Sequence, residues 1–217
     1  VFEAAIGDME AVKKCDLDPE NPAVKAAYIK GHRVDMELVG ANRTPHVLEA
    51  DAADGYTNFY LGHCPDGIMH VPSFQTLVVQ GIYPNIDMVL RGSEGGSLKC
   101  DFVVLPGGNP ADIRLRYVGG DAPRLIDGGL LQVDNSVGLI REDAPFTFQP
   151  DMSYGPMPWY NADLKSKAVS SGWRVDGDFV RFNIGSYDRS RPLVIDPYRK
   201  WATYYGANGT ELLIGSD

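Results

Sequence analysis

Long apolar runs are missing from this 217-residue chain: no stretch reaches 18 apolar residues, so none of it suits a transmembrane helix. Basic runs are missing too. With 29 Asp and Glu against 20 Lys and Arg, the formal net charge is −9. No segment would neutralise a line of phosphates, and nucleic acid is not an expected partner. The same acidity argues against docking on anionic lipid, and with no apolar stretch of spanning length, direct membrane insertion is not expected. Cysteine is scarce. Cys15, Cys64 and Cys100 form no CxxC pair, which gives no basis for a zinc ribbon or a thioredoxin-type site. One disulfide among the three and three buried thiols are equally open readings. The opening VFEAAIGDMEAVKKCD does not read as a signal peptide and begins without Met, as expected of a processed product or a fragment. No GxSxG elbow occurs. Gly95-Gly96, Gly107-Gly108 and Gly119-Gly120 are isolated pairs with no predicted helix behind them, so no phosphate loop is expected.

What the chain does have is turn chemistry. Its 24 Gly and 15 Pro are spread without a collagen period, the signature of many strands joined by many turns. HRVDMELVG places Val34, Met36 and Leu38 on one face against Arg33, Asp35 and Glu37 on the other, the alternation of a half-buried strand. IRLRYVG alternates likewise, with Ile113, Leu115 and Tyr117 inward. YTNFYLG, FQTLVV, IDMVLRG, SLKCDFVVLPG, LLQV, VGLI and PLVIDP read as further strands, and WRVDGDFVRFNIG as a hairpin about Asp176-Gly177-Asp178. Residues 40–55 read as a polar loop. Within 1–30 one short helix, with Val24, Ala27 and Tyr28 at helical spacing after Asn21-Pro22, competes with a strand. Four prolines from Pro145 to Pro158 mark a break near 145–165. The expected fold is mainly β: an antiparallel β-sandwich or strongly curved sheets with many short strands and little helix. The expected organisation is an N-terminal segment 1–30, a β-rich domain 31–200 of one or two packed parts, and a tail 201–217 that begins a strand and stops.

Three blocks carry a resemblance. They are YTNFYLG at 56–62, GIYPNIDMVLRGSEGGSLKCDFVVLPGGNPADIRLRYVG at 81–119, and IGSYDRSRPLVIDPYRKWATYYGANGTE at 184–211. In order and spacing they resemble the bacterial domain of unknown function that precedes SBBP-type β-propeller repeats in large exported proteins. The chain departs from that pattern at Asn85, where the family has glycine after the proline. It departs again at Lys99 and Cys100, which stand for a glutamate and a tyrosine, and at Tyr205 and Ala207 in the lead-in to the first repeat. The repeats themselves are absent from these residues. The resemblance implies export and an extracellular or cell-surface setting, and it carries over no catalytic residue.

Candidate sites follow from residue type. Asp87 and Asp101, with Asp188 and Asp196, would offer oxygen ligands to Ca2+ or, as a close pair, the two carboxylates of a hydrolase. The bland reading caps turns with them or pairs them with Arg91, Arg114, Arg189 and Arg191, and no DxDxDG loop frames them. His63, Cys64 and His70 form a His/Cys cluster that falls short of a tetrahedral zinc set on its own. Tyr154, Trp159 and Tyr160 lie among prolines, an arrangement that suits stacking on polysaccharide or a protein hot spot, or closing one end of the core. Trp201, Tyr204 and Tyr205 open the unfinished tail, which would add a strand to another chain. The expectation is a non-catalytic structural or adhesive module. Its partners would be other protein subunits or the rest of a larger surface protein. Carbohydrate binding through 152–160 is the alternative, and a divergent hydrolase a third reading.

Overall fold

The computed structural model describes residues 2–6, 30–62, 64–92, 98–150, 166–197, 203–205 and 212–214. Among them the chain forms strands β1 (Phe2–Ile6), β2 (Lys30–Leu38), β3 (His46–Leu61), β4 (Cys64–Tyr83), β5 (Ile86–Gly92), β6 (Leu98–Val104), β7 (Leu115–Val118), β8 (Arg124–Ile126), β9 (Leu130–Asn135), β10 (Gly138–Glu142), β11 (Phe146–Pro150), β12 (Ser166–Val169), β13 (Ser171–Asp176), β14 (Phe179–Ile184), β15 (Leu193–Asp196), β16 (Thr203–Tyr205) and β17 (Leu212–Ile214). Two single 3-10 turns, Pro110–Asp112 and Asp127–Gly129, are the helical elements among the described residues. Every strand pair is antiparallel. The fold is mainly β, as its turn chemistry and alternation require.

A seven-stranded sheet runs in the order β12-β11-β15-β6-β5-β4-β3, and a five-stranded sheet in the order β1-β2-β7-β14-β13. A three-stranded sheet, β10-β9-β8, and the small β16-β17 pair complete the set. One apolar core joins the three larger sheets. Val34, Leu115, Val180 and Phe182 come from the five-stranded sheet; Ile86, Phe102, Val104 and Ile195 from the seven-stranded one; Leu131, Val133 and Ile140 from the third. Phe102 and Phe182 meet across the layers with ring centroids 5.8 Å apart. This is a sandwich-like packing in which alternate residues of each strand point inward.

The central strands of the seven-stranded sheet are apolar on both faces. Val78, Val89, Val103 and Val194 are buried as a second cluster, with Leu48, Leu105 and Phe148 packed beside it. By strand alternation they lie on the face opposite the main core. That accounts for the unbroken apolar runs LVV, FVV and LVI, which a strand with one wet face would not carry.

The alternations behave as expected: Val34, Ile113 and Leu115 are fully buried, Tyr117 is buried, and Met36 and Leu38 pack on the same core. The hairpin about Gly177 forms with Asp176 opposite Phe179. The loop expected at 40–55 is shorter than that. β3 begins at His46, because Val47, Leu48, Glu49, Ala50 and Ala52 pair in register with Val79, Val78, Leu77, Thr76 and Phe74 of β4. EADAAD has little strand propensity by itself; the apolar partner strand decides its conformation. The helix-or-strand choice at 24–28 and the turn Ser93–Gly96 fall outside the described residues, although β5 and β6 do pair as the arms of that hairpin.

Candidate functional site

β3 and β4 are far longer than the sheet they belong to. β5 pairs with β4 only from Thr76 to Tyr83, whereas β3 and β4 stay paired from His46↔Gln80 out to Leu61↔Cys64. Beyond Thr76 the two strands therefore continue as a ribbon with no third described strand beside it. At about 3.3 Å per residue, the span from Cys64 to Gln75 projects roughly 40 Å. An isolated two-stranded ribbon is marginally stable in water, so its own local contacts carry it. His70 donates its backbone N–H to Asn58 Oδ1 at 2.9 Å, and its ring lies 4.5 Å from that of Tyr56. At the root, the Thr76 hydroxyl donates to Asp51 Oδ2 at 2.8 Å. Register shifts interrupt the pairing between Ala52 and Tyr56 and between Thr57 and Phe59. Positive φ at Gly55 and His70 falls at these shifts, and at Gly67 at a further one between Phe59 and Leu61; the shifts twist the arm away from a flat edge.

The arm exposes what a core would bury. Tyr60 is 70% and Tyr56 59% exposed, and Phe59, Ile68 and Met69 are exposed with them. Its charge is one-sided: no Lys or Arg occurs between Arg43 and Arg91, while Asp51, Asp54 and Asp66 lie on the arm and Glu49 beside its root. Both signals stand in the sequence. They are hidden from a short-window reading because YTNFYLG alone looks like an ordinary aromatic strand.

At the other end of β4 the chain turns at Pro84-Asn85, and two clefts flank the Pro110–Asp112 turn. The larger, about 540 Å³, is walled by Phe182, Ile184, Tyr187 and Arg189; the smaller, about 420 Å³, by Gly40, Tyr83, Asp112, Arg114 and Arg181. Arg189 sits over the Tyr187 ring, 6.0 Å from its centroid. Arg181 donates to the Ala111 carbonyl at 2.8 Å. Burial pushes the Tyr83 phenol above its ordinary pKa.

The acidic residues singled out from sequence have partners. Asp101, buried, pairs with Arg91 and lies 4.0 Å from Lys99, which also pairs with Asp196. These four groups form one alternating charge network on β5, β6 and β15. Burial lowers the Arg91 pKa, and the Asp196 carboxylate opposes that shift. Asp87 accepts the Gly81 backbone N–H at 2.8 Å. Asp188 accepts both the backbone N–H and the hydroxyl of Ser190, bonds that hold its carboxyl below the usual range. Among the described residues no group of three or more His, Cys, Asp and Glu is arranged to hold a metal ion. Cys64 is a half-buried free thiol and Cys100 is buried; Cys100 packs in the main core, where the family resemblance implies a bulkier aromatic. His70 is committed to the arm as described. His63, Cys15, Tyr154, Trp159, Tyr160 and Trp201 lie outside the described residues. Tyr204 and Tyr205 lie in β16, which pairs with β17 of the same tail. No helix among the described residues is long and apolar enough to cross a membrane.

No curated protein and no solved structure matches the chain. A family model does, over residues 7–198, which takes in both the arm and the clefts. The chain belongs to the domain of unknown function family DUF7948.

Proposed function

We propose that this chain is a non-catalytic assembly module, working at the cell surface or outside the cell, that attaches to protein partners through the β3–β4 arm. The observation that carries the reading is the arm itself, a long ribbon with exposed Tyr56, Phe59, Tyr60, Ile68 and Met69 on a chain whose other large apolar side chains mostly fill a core. Aromatic residues of this kind are the usual anchors of protein interfaces. Among the described residues β3 is the edge strand of its sheet, and such an edge offers its backbone donors and acceptors to a further strand. The exported setting, and a place in a larger surface protein ahead of propeller repeats, rest on the resemblance of residues 56–62, 81–119 and 184–211. The partners are other subunits or the rest of such a protein. Polysaccharide is a second reading, favoured by the exposed Tyr56 ring that lies tilted against His70, since such a ring would equally take the face of a sugar.

The test is the size and composition of the native particle that holds this chain, measured by light scattering and native mass spectrometry. It is repeated with residues 53–71 replaced by an Asn-Gly turn. A larger particle that falls apart when the arm is shortened is the expected result. An unchanged particle without the arm overturns the reading, and a particle that stays monomeric but is retained on polysaccharide through Tyr56 moves it to the second.

A further inference from the structure

The arm and the clefts lie at opposite ends of the same strand. β4 begins at Cys64, at the arm tip, and ends at Tyr83, in the wall of the smaller cleft. The ends also differ in charge. Asp54 and Asp66 are exposed on an arm that has no Lys or Arg. The cleft walls hold Arg114, Arg189 and Arg181, the last also paired with Asp176 at 3.5 Å, and the one acid lining them is Asp112. In a chain of net charge −9, that is a local reversal of sign. Two arms meeting edge to edge would bring Glu49, Asp51 and Asp54 of each against the other, and like charges opposed across a strand pair are destabilising. A symmetric arm-on-arm dimer is thus disfavoured by the sequence of the arm.

We infer that copies of this chain join head to tail, the acidic aromatic arm of one seating against the arginine-lined clefts of the next. This rests on the proposed role of the arm and names its partner as a second copy. The fit has two parts. Asp54 and Asp66 meet guanidinium groups, of which Arg189 is exposed and Arg114 half-exposed. Tyr56 and Tyr60 meet a wall of Phe182, Ile184 and Tyr187, where an aromatic ring gains both apolar contact and an arginine face. Because the two surfaces differ, the contact is heterologous; it closes into a ring or propagates as a filament according to the rotation between copies.

The experiment uses the purified full chain and two charge-reversed variants, D54K/D66K on the arm and R114E/R189E on the clefts. Sedimentation velocity is run across concentration at low and high salt. The wild type is expected to self-associate, and to do so about tenfold or more weakly in high salt, where exposed charge pairs are screened. Each variant alone opposes like to like and is expected to be monomeric. An equimolar mixture restores both opposite-charge joints and is expected to assemble in alternation, which an unfolded variant could not do. A wild type monomeric at every concentration overturns the inference, as does assembly that survives either reversal or a mixture that stays monomeric. A monomeric wild type whose arm is still needed for the native particle would leave the assembly role standing and remove only the second copy as partner.

Discussion

Asn85 is a residue whose chemistry the turn dictates. Pro84 and Asn85 link Tyr83 to Ile86 in a two-residue turn, and Asn85 takes φ +54°. Proline at the first position and positive φ at the second is the type II pattern, which suits glycine at the second position and explains why asparagine is tolerated there. Asn85→Gly should lie within about 1 kcal/mol of wild type, whereas Asn85→Val, forcing a β-branched side chain into this region, should cost about 1–3 kcal/mol in urea denaturation. At Asp188 the prediction concerns pH. Its folded pKa is depressed by the Ser190 hydroxyl and amide, so its contribution to stability is present above the unfolded value of about 3.9. That contribution is lost as pH falls through the folded pKa. Ser190→Ala should raise the Asp188 pKa in an NMR titration; an unchanged curve would show that the hydroxyl bond does not hold the carboxylate. Asp101, 1% exposed between Arg91 and Lys99, should be sensitive to truncation: Asp101→Ala is expected to cost about 3–5 kcal/mol, the range for breaking a buried pair.

Among the elements, β3 and β4 divide into a rooted half and a projecting half. The rooted half is locked by β5 and by Val78 and Val79, which face the two apolar clusters. The projecting half has only its own ladder, so its amides at 56–60 and 66–71 should exchange with solvent much faster than those of β5 and β6. Equal protection would mean that the arm is covered in the free protein. Since the arm contributes little to the core, replacing 53–71 by Asn-Gly should move Tm by less than about 4 °C, roughly the effect of 1 kcal/mol in a chain of this size. Alternation made β2 and β7 legible from sequence, because one face of each is wet and the other dry. β3 was legible only from Tyr56 onward, because EADAAD has no strand signal until Val79, Val78 and Leu77 lie alongside it.

On the scale of the whole molecule, three sheets share one core, and Phe102 stands where two of them meet, fully buried against Phe182. Phe102→Ala should therefore cost about 3–5 kcal/mol as a single cooperative loss, with near-ultraviolet circular dichroism and denaturant midpoint shifting together. A loss of the arm's signals alone, with the core intact, would contradict that shared core.

The sequence by itself determined the mainly β class, the inward residues of the alternating strands and the turn at Gly177, because each depends on local φ preference or on a period of two that neighbouring residues carry; the order of its blocks determined the family of the chain. Only the tertiary structure decided which strands pair and where an acidic run becomes strand. It also decided that Asp101 and Asp196 answer to Arg91 and Lys99, and that an acidic arm and an arginine-lined end fall at opposite ends of β4. Those outcomes rest on contacts between residues far apart in the chain, which no local pattern encodes.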